Sequence, residues 1–319
     1  MSRIADTPPV AAPPPGGAAL GPPTIGDRIR SRDARPFLLL APIGVWLGLF
    51  LIAPIAIMLA YSLWRSDPTT FSIVRDFNLD AYKQIFSEGV YLDVLLKSLW
   101  IGLIVVVLTL VLGFPTAYML ASRRTPRVKM MLLLALLVPF WTSVLLRSYA
   151  WILVLGEAGA VNSVLRSTGI VSEPLRWLLF DRFAVIVSLV QLYVPFMVIA
   201  LYAVLEKFDW KLLEAARDLG AGKFRSFVHV VVPASMPGIL IGVLLVMIPA
   251  VGSFITPSLL GGTDGLMYAG VISSQFGTSF NWPLGAALSF VLVTALVALV
   301  TVLMKIVKPW DSFERGMRR

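Results

Sequence analysis

The chain has 319 residues, 58% of them hydrophobic and 14% charged, with a mean hydropathy of +0.84, which excludes a water-soluble domain of this length. The formal net charge of +9 comes from bases near the ends of apolar runs, the pattern that fixes orientation in a bilayer, so nucleic acid is not an expected partner. With no cysteine and the single histidine His229, disulfides, thiolate metal centres and histidine clusters are excluded, and no bound metal is expected.

Residues 1–35 are rich in Ala, Pro and Gly around Pro13-Pro14-Pro15 and hold no apolar stretch able to form a signal-peptide core; they are expected to be a disordered cytoplasmic tail. A hydrocarbon core about 30 Å thick needs about 20 apolar residues in a helix, because backbone amides cannot be left unpaired in lipid. Six segments meet that length: Phe37 to Trp64, Ser98 to Ala121, Met130 to Leu155, Phe183 to Leu205, Met236 to Leu260 and Leu284 to Met304. The expected fold class is an all-α integral membrane domain over 36–308 with six transmembrane helices, followed by a short cytoplasmic tail, 309–319.

Arg28, Arg30, Arg32 and Arg35 precede the first span, Arg123, Arg124, Arg127 and Lys129 fill the second loop, and Lys305, Lys308, Arg315, Arg318 and Arg319 close the chain. Both termini are therefore expected in the cytoplasm, with the acidic first loop (Asp67, Asp76, Asp80, Glu88, Asp93) outside. Prolines 42, 54, 115, 139, 195, 249 and 257 fall inside the expected spans, where each removes a backbone hydrogen bond and permits a kink.

The most polar interior segment is 206–235, between the fourth and fifth spans. Asp209 is placed to cap a short helix with Leu212, Leu213, Ala216 and Leu219 on one stripe, and Gly220 to stop it in a left-handed conformation. A second amphipathic segment carries Phe224, Phe227, Val228 and Val231 before Pro233 breaks the pattern. Two helices joined at Gly220 make an elbow, and periodicity alone admits both a plain interfacial helix and a lever worked by a soluble partner.

Glu214-Ala215-Ala216, then Gly220, then Val230-Val231-Val232-Pro233 resemble the E-A-A-x3-G-x9-I-x-L-P pattern of binding-protein-dependent ABC importer permeases, departing only by valine at Val230 and Val232. Leu145-Leu146-Arg147-Ser148-Tyr149-Ala150-Trp151, Gly159, Asn162 and Asn281-Trp282-Pro283-Leu284-Gly285-Ala286-Ala287 are similar to spermidine/putrescine permeases, with the Arg-Ser-Tyr-Ala-Trp stretch and Leu259-Leu260-Gly261-Gly262 resembling the first of two such subunits. The resemblance implies a type I importer permease fold. It also implies a coupling loop over 206–235 seated in a groove of an ATPase, with Glu214, Ala215, Ala216, Arg217, Asp218, Leu219, Gly220 and Lys223 as coupling residues. The implied partners are two ATP-binding-cassette subunits, a second similar permease, a periplasmic or lipid-anchored solute-binding protein and the bilayer of a bacterial inner membrane.

Gly220-Ala221-Gly222-Lys223-Phe224 is no phosphate-binding loop: Phe224 stands where Ser or Thr binds magnesium, Arg217 where the first glycine is needed, and no strand precedes it. ATP and magnesium are thus expected on the partner ATPase, with no cofactor and no catalytic residue on this chain. Arg147, inside the third expected span, reads either as a functional charge or as a snorkelling interfacial one, and is left out of the solute path because it repels cations. Candidate path residues for a polyamine are the carboxylate Glu157, the aromatics Trp141, Tyr149, Trp151 and Trp282, and, deep in a span, Gln191 and Tyr193. An opine or amino-acid derivative is the alternative solute. An ion-coupled secondary carrier is the rival class, disfavoured because no repeat is evident and Arg147 is the one charge within the expected spans.

Overall fold

A computed structural model describes residues 42–67, 72–123 and 125–317, with 306–317 as backbone only. The expected tail over 1–35 lies outside the described residues. The chain divides into two units, Met1–Ala56 and Ile57–Arg319.

In the first unit the described part of α1 begins at Pro42; the helix runs on to Ser62 and widens to a π turn at Gly48–Ile52. Trp46 and Phe50, one turn apart, stack at 4.9 Å.

The second unit continues with a short antiparallel pair, β1 Arg65–Ser66 and β2 Ile73–Val74, and the amphipathic α2, Asp80–Ser87. The long helices are α3 (Gly89–Ser122) and α7 (Arg182–Leu205), and the last helix, α13 (Trp282–Met317), stays helical beyond residue 308. Between them lie α4 (Pro126–Leu137), α5 (Val144–Leu155), α6 (Ala160–Ser167), α8 (Lys211–Asp218), α9 (Lys223–Ala234), α10 (Met236–Val251), α11 (Ile255–Leu260) and α12 (Tyr268–Gly277). Among the described residues five helices are long and apolar enough to cross a membrane, or six when α9 and α10, bent by 66°, count as one.

Two expected spans are broken. Met130 to Leu155 is interrupted by a 3-10 turn, Val138–Trp141, and by extended Thr142 and Ser143. Pro139 withholds an amide, the Thr142 hydroxyl donates to the Pro139 carbonyl at 2.7 Å, and Ser143 Oγ accepts from Leu145 N–H, restarting the helix. The apolar stretch of crossing length is Val144–Ser167, α5 and α6 together, interrupted by a turn at Gly156–Gly159. Met236 to Leu260 likewise stops at Val251 and restarts at Ile255, which leaves Pro257 in a first turn, where its missing amide costs no hydrogen bond.

The core is the packing of α3, α7 and α10, with Ile101, Val105, Leu189, Leu201, Val246 and Ala250 fully or almost fully buried. Lipid is as apolar as these side chains, so close packing rather than escape from water holds the helices together. Gly238 and Gly242 on α10 supply it: a Cβ on Gly242 would overlap the sulfur of Met197, and one on Gly238 would sit 3.0 Å from the Ala200 carbonyl.

Candidate functional site

The elbow is built from capping chemistry. Lys211 N–H donates to Asp209 Oδ1 at 3.0 Å at the start of α8. At its end Gly220 N–H donates to the Arg217 carbonyl at 2.9 Å and Ala221 N–H to the Ala216 carbonyl at 3.1 Å, the paired bonds of a Schellman stop. Such a stop needs a left-handed residue, and Gly220 has φ +84°.

Past Gly220, α9 contains a π turn at Phe227–Val231 and carries Pro233 without breaking. The wider turn accommodates the proline ring, which in a regular helix would strike the His229 carbonyl, so the break falls at Ser235 instead of at Pro233. Ser235 Oγ donates to the Val231 carbonyl at 2.7 Å and satisfies an acceptor at the bend into α10.

The apolar stripe expected on α8 does not all face inward. Leu213 is buried (6% exposed), whereas Leu219 is 90% and Phe224 81% exposed, on either side of Gly220. Glu214, Ala215, Arg217, Asp218 and Lys223 are also exposed and Ala216 is half-buried. Among the described residues no cation lies within ion-pair distance of Glu214. The outer surface of the elbow is therefore an apolar tip beside an unpaired acid.

Its inner surface is aromatic. Tyr118 of α3 meets Trp210, next to α8, at 5.5 Å and Phe227 of α9 at 5.8 Å, both edge-on, and Phe114 meets Phe227 at 5.3 Å. At the root of the elbow, Glu206 accepts a 2.6 Å hydrogen bond from Tyr202 and faces Lys129 at 3.7 Å.

The expected path residues separate into distinct places. Trp151 Nε1–H donates to Gln191 Oε1 at 2.9 Å, joining α5 to α7. Tyr193 is buried (8% exposed), and its hydroxyl donates to the Pro249 carbonyl at 3.1 Å, satisfying one of the last carbonyls of α10. Trp141 and Tyr149 are exposed. Glu157 faces Arg176 at 3.4 Å, and Trp282 lies in an aromatic group with Tyr61 (5.9 Å) and Phe276 (5.6 Å). Of the seven, only Trp151 and Gln191 touch each other through polar atoms.

Arg147 stands one turn before Trp151, its guanidinium 5.7 Å from the Phe140 ring, and its buried Nε has no partner among the described residues. The other end of α7 carries an ion cluster invisible in the sequence: Asp264 accepts from Arg182 at 2.9 Å and faces Lys97 at 3.6 Å. The Arg182 hydrogen bond and charge, with Lys97 adding to them, hold the Asp264 carboxyl below the usual carboxylate range.

A bundle of kinked apolar helices with a capped amphipathic elbow at one end defines a multi-pass membrane transport subunit. The chain belongs to the family of binding-protein-dependent transport system inner membrane components, whose match covers residues 34–310. It is 41% identical over 251 residues to the spermidine/putrescine transport system permease protein PotB of Escherichia coli (strain K12), covering 79% of this chain and 90% of that one. It is 40% identical over 257 residues to PotB of Haemophilus influenzae, covering 81% and 88%. Among solved structures it is similar to a bacterial alginate ABC transporter in complex with alginate pentasaccharide-bound periplasmic protein, with a TM-score of 0.66 and 16% identity over 88% of this chain and 96% of that one, a likeness of fold.

Proposed function

We propose that this chain is a permease subunit of an ABC importer and lines the path of a small cationic solute of the polyamine type, spermidine or putrescine. The observation that carries this reading is the 40–41% identity, over about four-fifths of the chain, to permeases described as transporting those solutes.

A solute-binding protein delivers the polyamine, a second similar permease closes the other side of the path, and two ATPases that bind ATP and magnesium drive the change of access. The elbow end, where Lys129 of the basic second loop meets Glu206, faces the cytoplasm. There the exposed tip of Leu219 and Phe224 seats in the ATPase, Ala215 and Ala216 allow close approach, and Glu214 meets a basic partner residue. Two conformations within a few kcal/mol of each other suffice, because a partner that binds one of them better shifts the balance.

Within the path, the Trp151–Gln191 pair offers an aromatic face and an amide to the methylene chain of a polyamine.

The test is reconstitution with the neighbouring gene products and measurement of ATP-dependent uptake of spermidine and putrescine against a neutral solute, an opine and an oligopeptide. Uptake of the two polyamines is expected. Uptake of the neutral solute or the opine alone rejects the polyamine assignment.

A further inference from the structure

The elbow is continuous in the chain with α7, through Glu206, and with α10, through the bend at Ser235. Helix α3, the third member of the core, has no such link. A displacement of the elbow reaches its near end only through side chains, and of the two α3 aromatics that meet the elbow one reaches both of its arms.

Tyr118 touches both arms at once, Trp210 at 5.5 Å and 68° and Phe227 at 5.8 Å and 81°. Phe114, one turn earlier on α3, reaches only the second arm. Trp210 is backed by Phe208 at 5.3 Å and 88°, so the first arm presents a braced ring. Edge-to-face pairs are directional, favouring one relative placement of the rings over its neighbours, which a purely aliphatic contact does not do. The Tyr118 hydroxyl has no hydrogen-bond partner among the described residues, so the ring is the part that acts.

We infer that Tyr118 is a positioning residue that ties α3 to both arms of the elbow, so that all three core helices follow when the elbow moves. This rests on the elbow being the ATPase-docking element, as proposed above.

The experiment compares Tyr118→Leu and Tyr118→Phe in the reconstituted complex, reading the amount of ATPase retained, the rate of ATP hydrolysis and the solute moved per ATP hydrolysed. Tyr118→Leu keeps apolar volume but loses both ring contacts. It is expected to retain the ATPase and continue hydrolysis while solute moved per ATP falls roughly tenfold; Tyr118→Phe is expected to match the unaltered protein.

An unchanged ratio in Tyr118→Leu overturns the inference, as does an equal loss in Tyr118→Phe, or a fall of uptake and hydrolysis together in proportion to the assembled complex. Should Tyr118→Leu fail to assemble, the double variant Trp210→Leu with Phe227→Leu removes the rings from the elbow side, with the same fall expected and the same overturning result. Failure of the unaltered chain to retain the ATPase is a separate outcome and sinks the docking reading itself.

Discussion

Substitution of Gly220 separates backbone conformation from side-chain contact at the elbow. Gly220 has φ +84°, and a Cβ added there would meet nothing within 4 Å. A side chain therefore clashes with no neighbour, and the whole penalty is the left-handed backbone, roughly 1–2 kcal/mol for an ordinary L-residue, less for Asn and more for a β-branched one. At 1.4 kcal/mol per tenfold, Gly220→Ala should lower the fraction of correctly bent elbow by roughly 5- to 30-fold wherever that bend is not already over-stabilised. Affinity for the ATPase and ATP-dependent uptake should then fall in the order Gly, Asn, Ala, Val. Titration of the ATPase onto reconstituted permease, followed by uptake at saturating ATPase, reads both. Equal impairment by Asn and Val, or none by Val, refutes the claim that the left-handed stop sets the elbow's geometry.

Further predictions concern packing, charge and the path. Gly242→Ala should destabilise the bundle by about 1–3 kcal/mol through overlap with Met197, and Met197→Ala in the same chain should recover part of that loss; strict additivity in thermal unfolding of the solubilised protein contradicts the contact. Because the Asp264 carboxyl is held below its ordinary value, its support of the loop is complete at neutral pH and is lost only as pH falls below the usual carboxylate range, through the depressed value. Hydrogen exchange over residues 261–267 should thus be flat from pH 7 to 5 once corrected for intrinsic rate, and Asp264→Asn should raise it throughout that range. Gln191→Leu should raise the KM for polyamine several-fold with ATPase binding intact, since its amide lies far from the elbow along α7; an unchanged KM removes the Trp151–Gln191 pair from the path.

The legible parts of this protein were those written in local sequence. Twenty-residue apolar runs announce the long helices, and Asp209, Gly220 and the apolar spacing between them announce the elbow, because capping acts within a few residues. The breaks at Thr142–Ser143 and Gly252–Phe254 escaped a hydropathy window, which averages over more residues than a break occupies; Pro139, Pro249 and Pro257 were the available signal. Pro233 misled for the opposite reason, since a π turn upstream absorbed its ring.

Contacts distant in sequence left no trace. Arg182 with Asp264, Lys129 with Glu206, and Trp151 with Gln191 join residues whose pairing only the fold determines. Tyr118 reads as one more aromatic in a span, and its place between two arms appears only once the elbow has folded back. The outward Leu219 and Phe224 show the same limit: helical spacing puts residues on one face without saying whether that face is covered by this chain or by another.

The central claim is that the elbow is a mechanical socket for a separate nucleotide-driven subunit. It is tested most directly by spermidine uptake into proteoliposomes with the ATPase present, absent, or present but unable to hydrolyse ATP. Uptake is predicted only with the active ATPase and ATP. Transport at full rate without that subunit contradicts the account.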